Sequence, residues 1–220
     1  MPSTLSNNFK LQVAKKAIDL TSDNIKILLM RDDFTFNQDL HYYRKNIKAD
    51  TGTTTLNINA SLQITRVSGS FIDDGFVAGN KITLSGFTNG GNNTTKIISS
   101  VSASAITVTD TSGLVEETGS GDERCVADDE LGGGNGYTQD NYVLSLLDSG
   151  ISETEDKAYF DYDNVSWTAS GGSIGPSPGA ILYDDTSTDD VIIGYIDFGL
   201  DKTAPDGSNF NINGISIKIG

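Results

Sequence analysis

Apolar and polar residues along this chain alternate with a period of two far more often than they follow the 3.6-residue period of a helix. The clearest stretch runs from Lys157 to Gly199. Ala158, Phe160 and Tyr162 alternate there with Tyr159, Asp161 and Asp163, as in a half-buried strand. Val165 and Trp167 resume the alternation with the parity shifted by one residue, which predicts a turn or bulge at Asp163–Asn164. Ala180-Ile181-Leu182-Tyr183 is wholly apolar, the pattern of a strand covered on both faces, and Val191 to Phe198 is a longer run of the same kind. The polar residues 184–190 between them have hairpin-loop length. The expectation is three or four antiparallel strands packed around Trp167, the only Trp.

Few other stretches read as helix. One helix is predicted from about Asn8 to Asp19, capped by Ser6 or Asn7, with Phe9, Val13 and Ala17 on one face and Lys15 and Lys16 toward its C-terminal end. Ile25 to Met30 reads as a buried strand of the same sheet. Asp39 to Ile47 reads as a turn followed by a short helical or irregular segment. Phe210 to Ile219 alternates over a full strand length, with Gly214 as a bulge or kink.

Composition changes near Asp50. Residues 51–117 are rich in Thr, Ser, Asn and Gly, and carry the alternating pairs Leu62/Ile64, Ile82/Leu84 and Ile106/Val108 between Gly- and Asn-containing turns. This predicts an inserted small all-β barrel or sandwich, with Phe71, Phe76 and Phe87 as its bulk. Thr118 to Asn135 reads as a flexible acidic connector. The fold class expected is therefore mainly β. Residues 1–50 and 118–220 form a discontinuous, antiparallel sandwich or barrel-like outer domain with one short N-terminal helix, and residues 51–117 interrupt it. Insertion at an exposed loop adds little entropy cost.

Charge narrows the range of partners. The formal net charge is −15, and residues 116–220 carry 21 Asp/Glu against four Lys/Arg. Phosphate backbones need cations, so no specific nucleic-acid partner is expected. No apolar run approaches the roughly 20 residues that span a bilayer, and the N-terminal residues lack the apolar core of a signal peptide, so a soluble protein without a membrane partner is expected. A single cysteine, Cys125, rules out an internal disulfide.

Candidate chemistry is sparse. His41, the only histidine, stands beside Tyr42 and Tyr43 with no Ser or Cys motif to act on, and is read as structural. Cys125 lies in an acidic segment that raises its pKa and makes it a poor nucleophile. Paired aspartates recur at 32–33, 73–74, 128–129, 184–185 and 189–190, but neighbours on a strand point to opposite faces and make poor acid/base pairs. Asp161-x-Asp163-Asn164 and the 184–190 loop offer hard oxygens suited to calcium, yet lack the Gly and distal Glu of an EF-hand. Gly132–Gly136 has no following Lys-Ser/Thr for a phosphate and is read as a flexible loop. No catalytic, cofactor or metal residue is assigned, and the chain is read as a non-enzyme.

The ordered segments FKLQVAKKAIDLTSDNIKILLMRDDFTFNQDLHYYRKNI, GYTQDNYVLS, DYDNVSWTASGGSIGPSPGAILYDDTSTDDVIIGYIDFG and INGISIKIG resemble a group of tailed-bacteriophage structural proteins. The likeness spans residues 8–48 and about 135–220, and residues 51–117 resemble a small β module inserted in various phage virion proteins. It implies a virion component without a prosthetic group, assembled in the host cytoplasm. The role expected first is a capsid decoration (cement or head-surface) protein, homo-oligomeric in a trimeric or other cyclic arrangement and seated on the major capsid protein. The alternatives are a tail component contacting neighbouring tail proteins in the tube, adaptor or baseplate, or a receptor- or carbohydrate-binding module with the inserted unit as the binder.

Overall fold

A computed structural model describes residues 4–220. In chain order the elements are β1 (Thr4–Leu5), α1 (Asn7–Ala14), β2 (Ile25–Leu29), β3 (Leu56–Ile58), β4 (Ile64–Arg66), β5 (Lys81–Ser85), β6 (Thr95–Val101), β7 (Ala105–Val108) and β8 (Arg124–Ala127). They continue with β9 (Tyr142–Val143), β10 (Leu146–Ser152), β11 (Lys157–Tyr162), β12 (Val165–Thr168), β13 (Ile174–Asp184), β14 (Val191–Ala204), β15 (Asn209–Ile212) and β16 (Ser216–Ile219). The fold is mainly β, with antiparallel ladders and one α-helix among the described residues, as expected. It divides into two compact units, Met1–Tyr42 with Glu130–Gly220, and Tyr43–Asp129.

In the first unit a five-stranded sheet has the order β1-β14-β13-β2-β9. The hairpin β13–β14 turns through residues 185–190, where the polar loop was expected. Ala180 to Tyr183 are all fully buried, which explains why that run has no polar face. α1 packs on β14 through Phe9, which is wholly buried. Removing that ring from water contributes about 2–3 kcal/mol. The helix stops at Ala14, five residues short of the expected end, and Lys16 adopts a left-handed φ of 57°. Ile18 and Leu20 are both buried, and residues two apart share a face only in extended chain, so burying both requires the helix to end before them.

The segment around Trp167 does not form one packet of strands. β11 belongs to a three-stranded sheet ordered β10-β11-β16, β12 pairs with β15, and β13 and β14 lie in the five-stranded sheet. The parity break after Asp163 separates β11 from β12 at the expected position. Trp167 packs edge-on against Tyr137, Tyr142 and Phe210, with ring centroids 5.4, 5.5 and 6.3 Å away. The expected single C-terminal strand is two strands with different partners. Gly214, with φ of 66°, turns the chain between β15, which pairs with β12, and β16, which pairs with β11.

The second unit is a six-stranded sheet ordered β3-β4-β7-β6-β5-β8. Phe71, Phe76 and Phe87 lie in its core with Ile64, Ile82, Leu84, Ile98 and Ile106, and Phe71 meets Phe76 edge to face at 5.7 Å. Leu62 is not part of a strand: it takes a left-handed φ of 57° in the turn before β4. Residues 118–129 are not a flexible connector. β8 pairs with β5, and Cys125 and Ala127 are fully buried in this core. The entering and leaving segments bond to each other, Thr51 N–H to the Cys125 carbonyl at 3.0 Å and Ala127 N–H to the Ala49 carbonyl at 2.8 Å. The compact unit therefore extends beyond residues 51–117 on both sides.

Candidate functional site

The residues singled out for chemistry do not converge. His41 is 3% exposed, with its ring 5.2 Å from Phe34 and 5.5 Å from Phe36, and its Nδ1 accepts the Asn37 N–H at 3.0 Å. Burial lowers its pKa from 6.5 to about 4, so the imidazole is neutral. Tyr195 stacks on Phe36 at 5.5 Å, completing an aromatic cluster that fixes the 34–41 loop against β14. Cys125 is wholly buried, and that burial pushes its thiol pKa far up, with Asp50 adding to the shift. The thiol is inert for a different reason from the one its acidic neighbours suggested.

In four of the five aspartate pairs at least one carboxylate is a structural acceptor. Asp33 pairs with Arg31, Asp74 with Arg66, and Asp185 with Lys26 at 2.9 Å. Asp129 is buried and accepts Asn80 Nδ2 at 2.7 Å and the Lys81 N–H at 3.2 Å. Asp163 accepts the Ser145 N–H at 2.9 Å, and the Asn164 side-chain oxygen accepts the Gly214 N–H at 3.0 Å, so these two side chains splice three segments together, while Asp161 lies on the polar face of its sheet. Asp184 is fully buried; its Oδ1 accepts the N–H groups of Thr186 and Ser187, while burial, with the Asp23 charge second, raises its pKa. Among the described residues, no three His, Cys, Asp or Glu side chains lie close enough to hold a metal ion. The glycine stretch 132–136 is an ordered turn rather than a flexible loop: Gly134 and Tyr137 exchange two main-chain bonds of 2.8 and 2.9 Å.

Open depressions among the described residues of the first unit include the following. One of about 310 Å³ is lined by Phe34, Phe36, Pro178, Tyr195 and Asp197. One of about 300 Å³ lies between β14 and β15 at Phe198, Lys202, Asn209 and Asn211. One of about 400 Å³ lies on the three-stranded sheet at Asp148, Tyr159, Asp161, Ser216 and Lys218.

No family model matches this chain, and no curated protein or solved structure matches it either.

The surface with the most distinctive chemistry is the three-stranded sheet itself. Residues directly opposite one another in its ladders share a face. Ile151, Ala158 and Ile219 form one row, and Ser149, Phe160 and Ile217 the next, giving an apolar face. Asp148, Tyr159, Asp161 and Lys218 lie on the other, polar face. Ile217 is buried, but Ile151 is 78% exposed and Leu147, at the bulge of β10, is 69% exposed. β10 pairs with β11 on one side and with no other strand among the described residues. Sequence reading missed this strand because LLDSGIS carries too short and weak an alternation to register. The doubled Leu146-Leu147 before a Gly-containing polar run was its only signal.

Among the described residues, no helix is long and apolar enough to cross a membrane.

Proposed function

We propose that the chain is a structural component of a tailed-bacteriophage particle, acting as a head decoration protein that reinforces the shell through contacts with the major capsid protein. The observation that carries this reading is the three-stranded sheet β10–β11–β16. Its partly uncovered apolar face, with Ile151 and Leu147 exposed, is a surface suited to protein contact rather than to solvent. The ordered likeness of residues 8–48 and 135–220 to phage structural proteins supports the same reading. The alternative in which the inserted unit binds sugar loses the aromatic platform it needs, because Phe71, Phe76 and Phe87 are all buried.

Copy number tests the proposal. Quantitative mass spectrometry of purified particles is expected to give this chain in parity with the major capsid protein or in a fixed simple fraction of it. A copy number far below the shell protein would place it in the tail instead, and absence from particles would overturn the virion reading.

A further inference from the structure

We propose that β10 is a self-association edge: two copies of this chain pair their β10 strands antiparallel about a two-fold axis at Gly150, joining two three-stranded sheets into one continuous six-stranded sheet. This does not rest on the virion reading, since the pairing would form in solution wherever the protein acts.

The edge is open and only lightly protected. Leu146 to Ser152 contains no Lys and no Pro, and its one bulge lies at the Leu147 end, leaving 148–152 regular. Ser149 gives its N–H to Oδ1 of its own neighbour Asp148 at 2.9 Å, so this amide points away from β11. By the alternation of an antiparallel ladder, the main-chain groups of Ile151 point outward too. An antiparallel copy centred on Gly150 sets Ser149 opposite Ile151 of the second copy, and the same pair recurs across the axis. Outward-facing donors and acceptors then meet in both pairs. At the axis itself the two strands come closest, and there each presents a glycine. On the polar face the Tyr159 ring already covers that glycine: a Cβ there would lie 2.8 Å from the Tyr159 hydroxyl. The glycines place no side chain of their own at the axis, and the two Tyr159 rings flank it on the polar face.

Charge complements the same register. Asp148 falls opposite Ser152 of the second copy, whose own ladder partner is Lys157. Pairing displaces the Asp148 carboxylate from the Ser149 N–H, while the Tyr159 hydroxyl at 3.2 Å keeps it on the polar face, which Lys157 of the second copy shares. Each Asp148 thereby gains one cation across the seam, a lysine that also acts on Glu155 of its own chain. On the other face, the exposed Ile151 of each copy extends the apolar rows of the other.

Sedimentation velocity across a concentration series tests this on the full chain of 23.4 kDa. A concentration-dependent species of twice that mass is expected, and Ile151→Lys should weaken it at least about tenfold in Kd. Ile151 and Ser149 are exposed, so changes there leave the fold intact, and far-UV circular dichroism checks that. Register is read by cysteine trapping. The buried Cys125 stays silent, and a mixture of Ser149→Cys and Ile151→Cys should oxidise to a mixed disulfide dimer, whereas neither variant alone should. A wild-type chain that stays monomeric up to ~100 µM would overturn the proposal and leave the edge to a strand of another protein. A dimer indifferent to Ile151→Lys, or one trapped only between like cysteines, would overturn it equally.

Discussion

Glu123 is the residue whose replacement should say most about the second unit. It is wholly buried, yet it is surrounded by donors: the Ser120 N–H and hydroxyl at 2.7 and 3.0 Å on one oxygen, and the Gly121 and Leu56 N–H groups at 3.0 and 3.3 Å on the other. Burial pushes its pKa up, but these donors outweigh burial and hold the carboxyl below its ordinary 4.5. In Glu123→Gln the amide keeps one oxygen for two donors and turns an NH2 toward the other two. In the better orientation the NH2 faces Ser120, whose exposed hydroxyl can reverse and accept, so one N–H loses its acceptor and the unit should lose roughly 1–3 kcal/mol. That is a substantial part of the roughly 5–15 kcal/mol that holds a domain together. Hydrogen exchange followed by mass spectrometry reads the loss locally. Amides of β3, β5 and β6 should exchange roughly 5- to 150-fold faster in the variant, with β2 and β13 of the other unit as internal reference. The depressed pKa gives a sign as well. The stabilisation is full above 4.5 and is lost as pH falls through the folded value, so wild type and variant should converge in acid. A change below about 0.5 kcal/mol at neutral pH, the size of an ordinary surface substitution, would refute the reasoning.

His41 should make the first unit acid-sensitive: with its pKa lowered from 6.5 to about 4, the unfolded chain binds the proton first, and about 3 kcal/mol is lost as pH falls across that window. Urea midpoints read by Trp167 fluorescence should show that slope, and its persistence in His41→Gln would contradict a buried neutral imidazole. Asp184 has a raised pKa from burial and from Asp23, so its ionised form strains the fold as pH rises. Asp184→Asn keeps the acceptor for Thr186 and Ser187 and should raise stability at neutral pH by roughly 1 kcal/mol; a lower melting temperature in calorimetry would show that the charge is needed. Cys125 should resist an aromatic disulfide reagent in the native protein and react fully in denaturant, and rapid labelling of the folded chain would mean that β8 opens readily.

The sequence by itself determined what is encoded over short distances. Alternation located β11 and β12, continuous apolar runs located β13 and β14, the parity break placed the turn after Asp163, and the run 180–183 announced a strand with no exposed face. The three phenylalanines of the inserted unit were legible as core because a run of turn-rich, nearly uncharged chain has little else to bury. Tertiary structure alone decided which strands pair and which polar groups are buried. Gly214 could have been a kink in one strand, and it became the point where the chain changes partners, because β12 and β11 offer separate ladders to the residues on either side. Glu123 and Cys125 sit in a stretch whose acidity reads as solvent-exposed. Their burial depends on β5 and on residues near Leu56 that are far away in sequence and cannot be weighed by any local pattern. The same holds for the β10 edge. A strand's backbone groups look alike in sequence whether or not a neighbour covers them, so the open side of β10 exists only once β11 has taken the other.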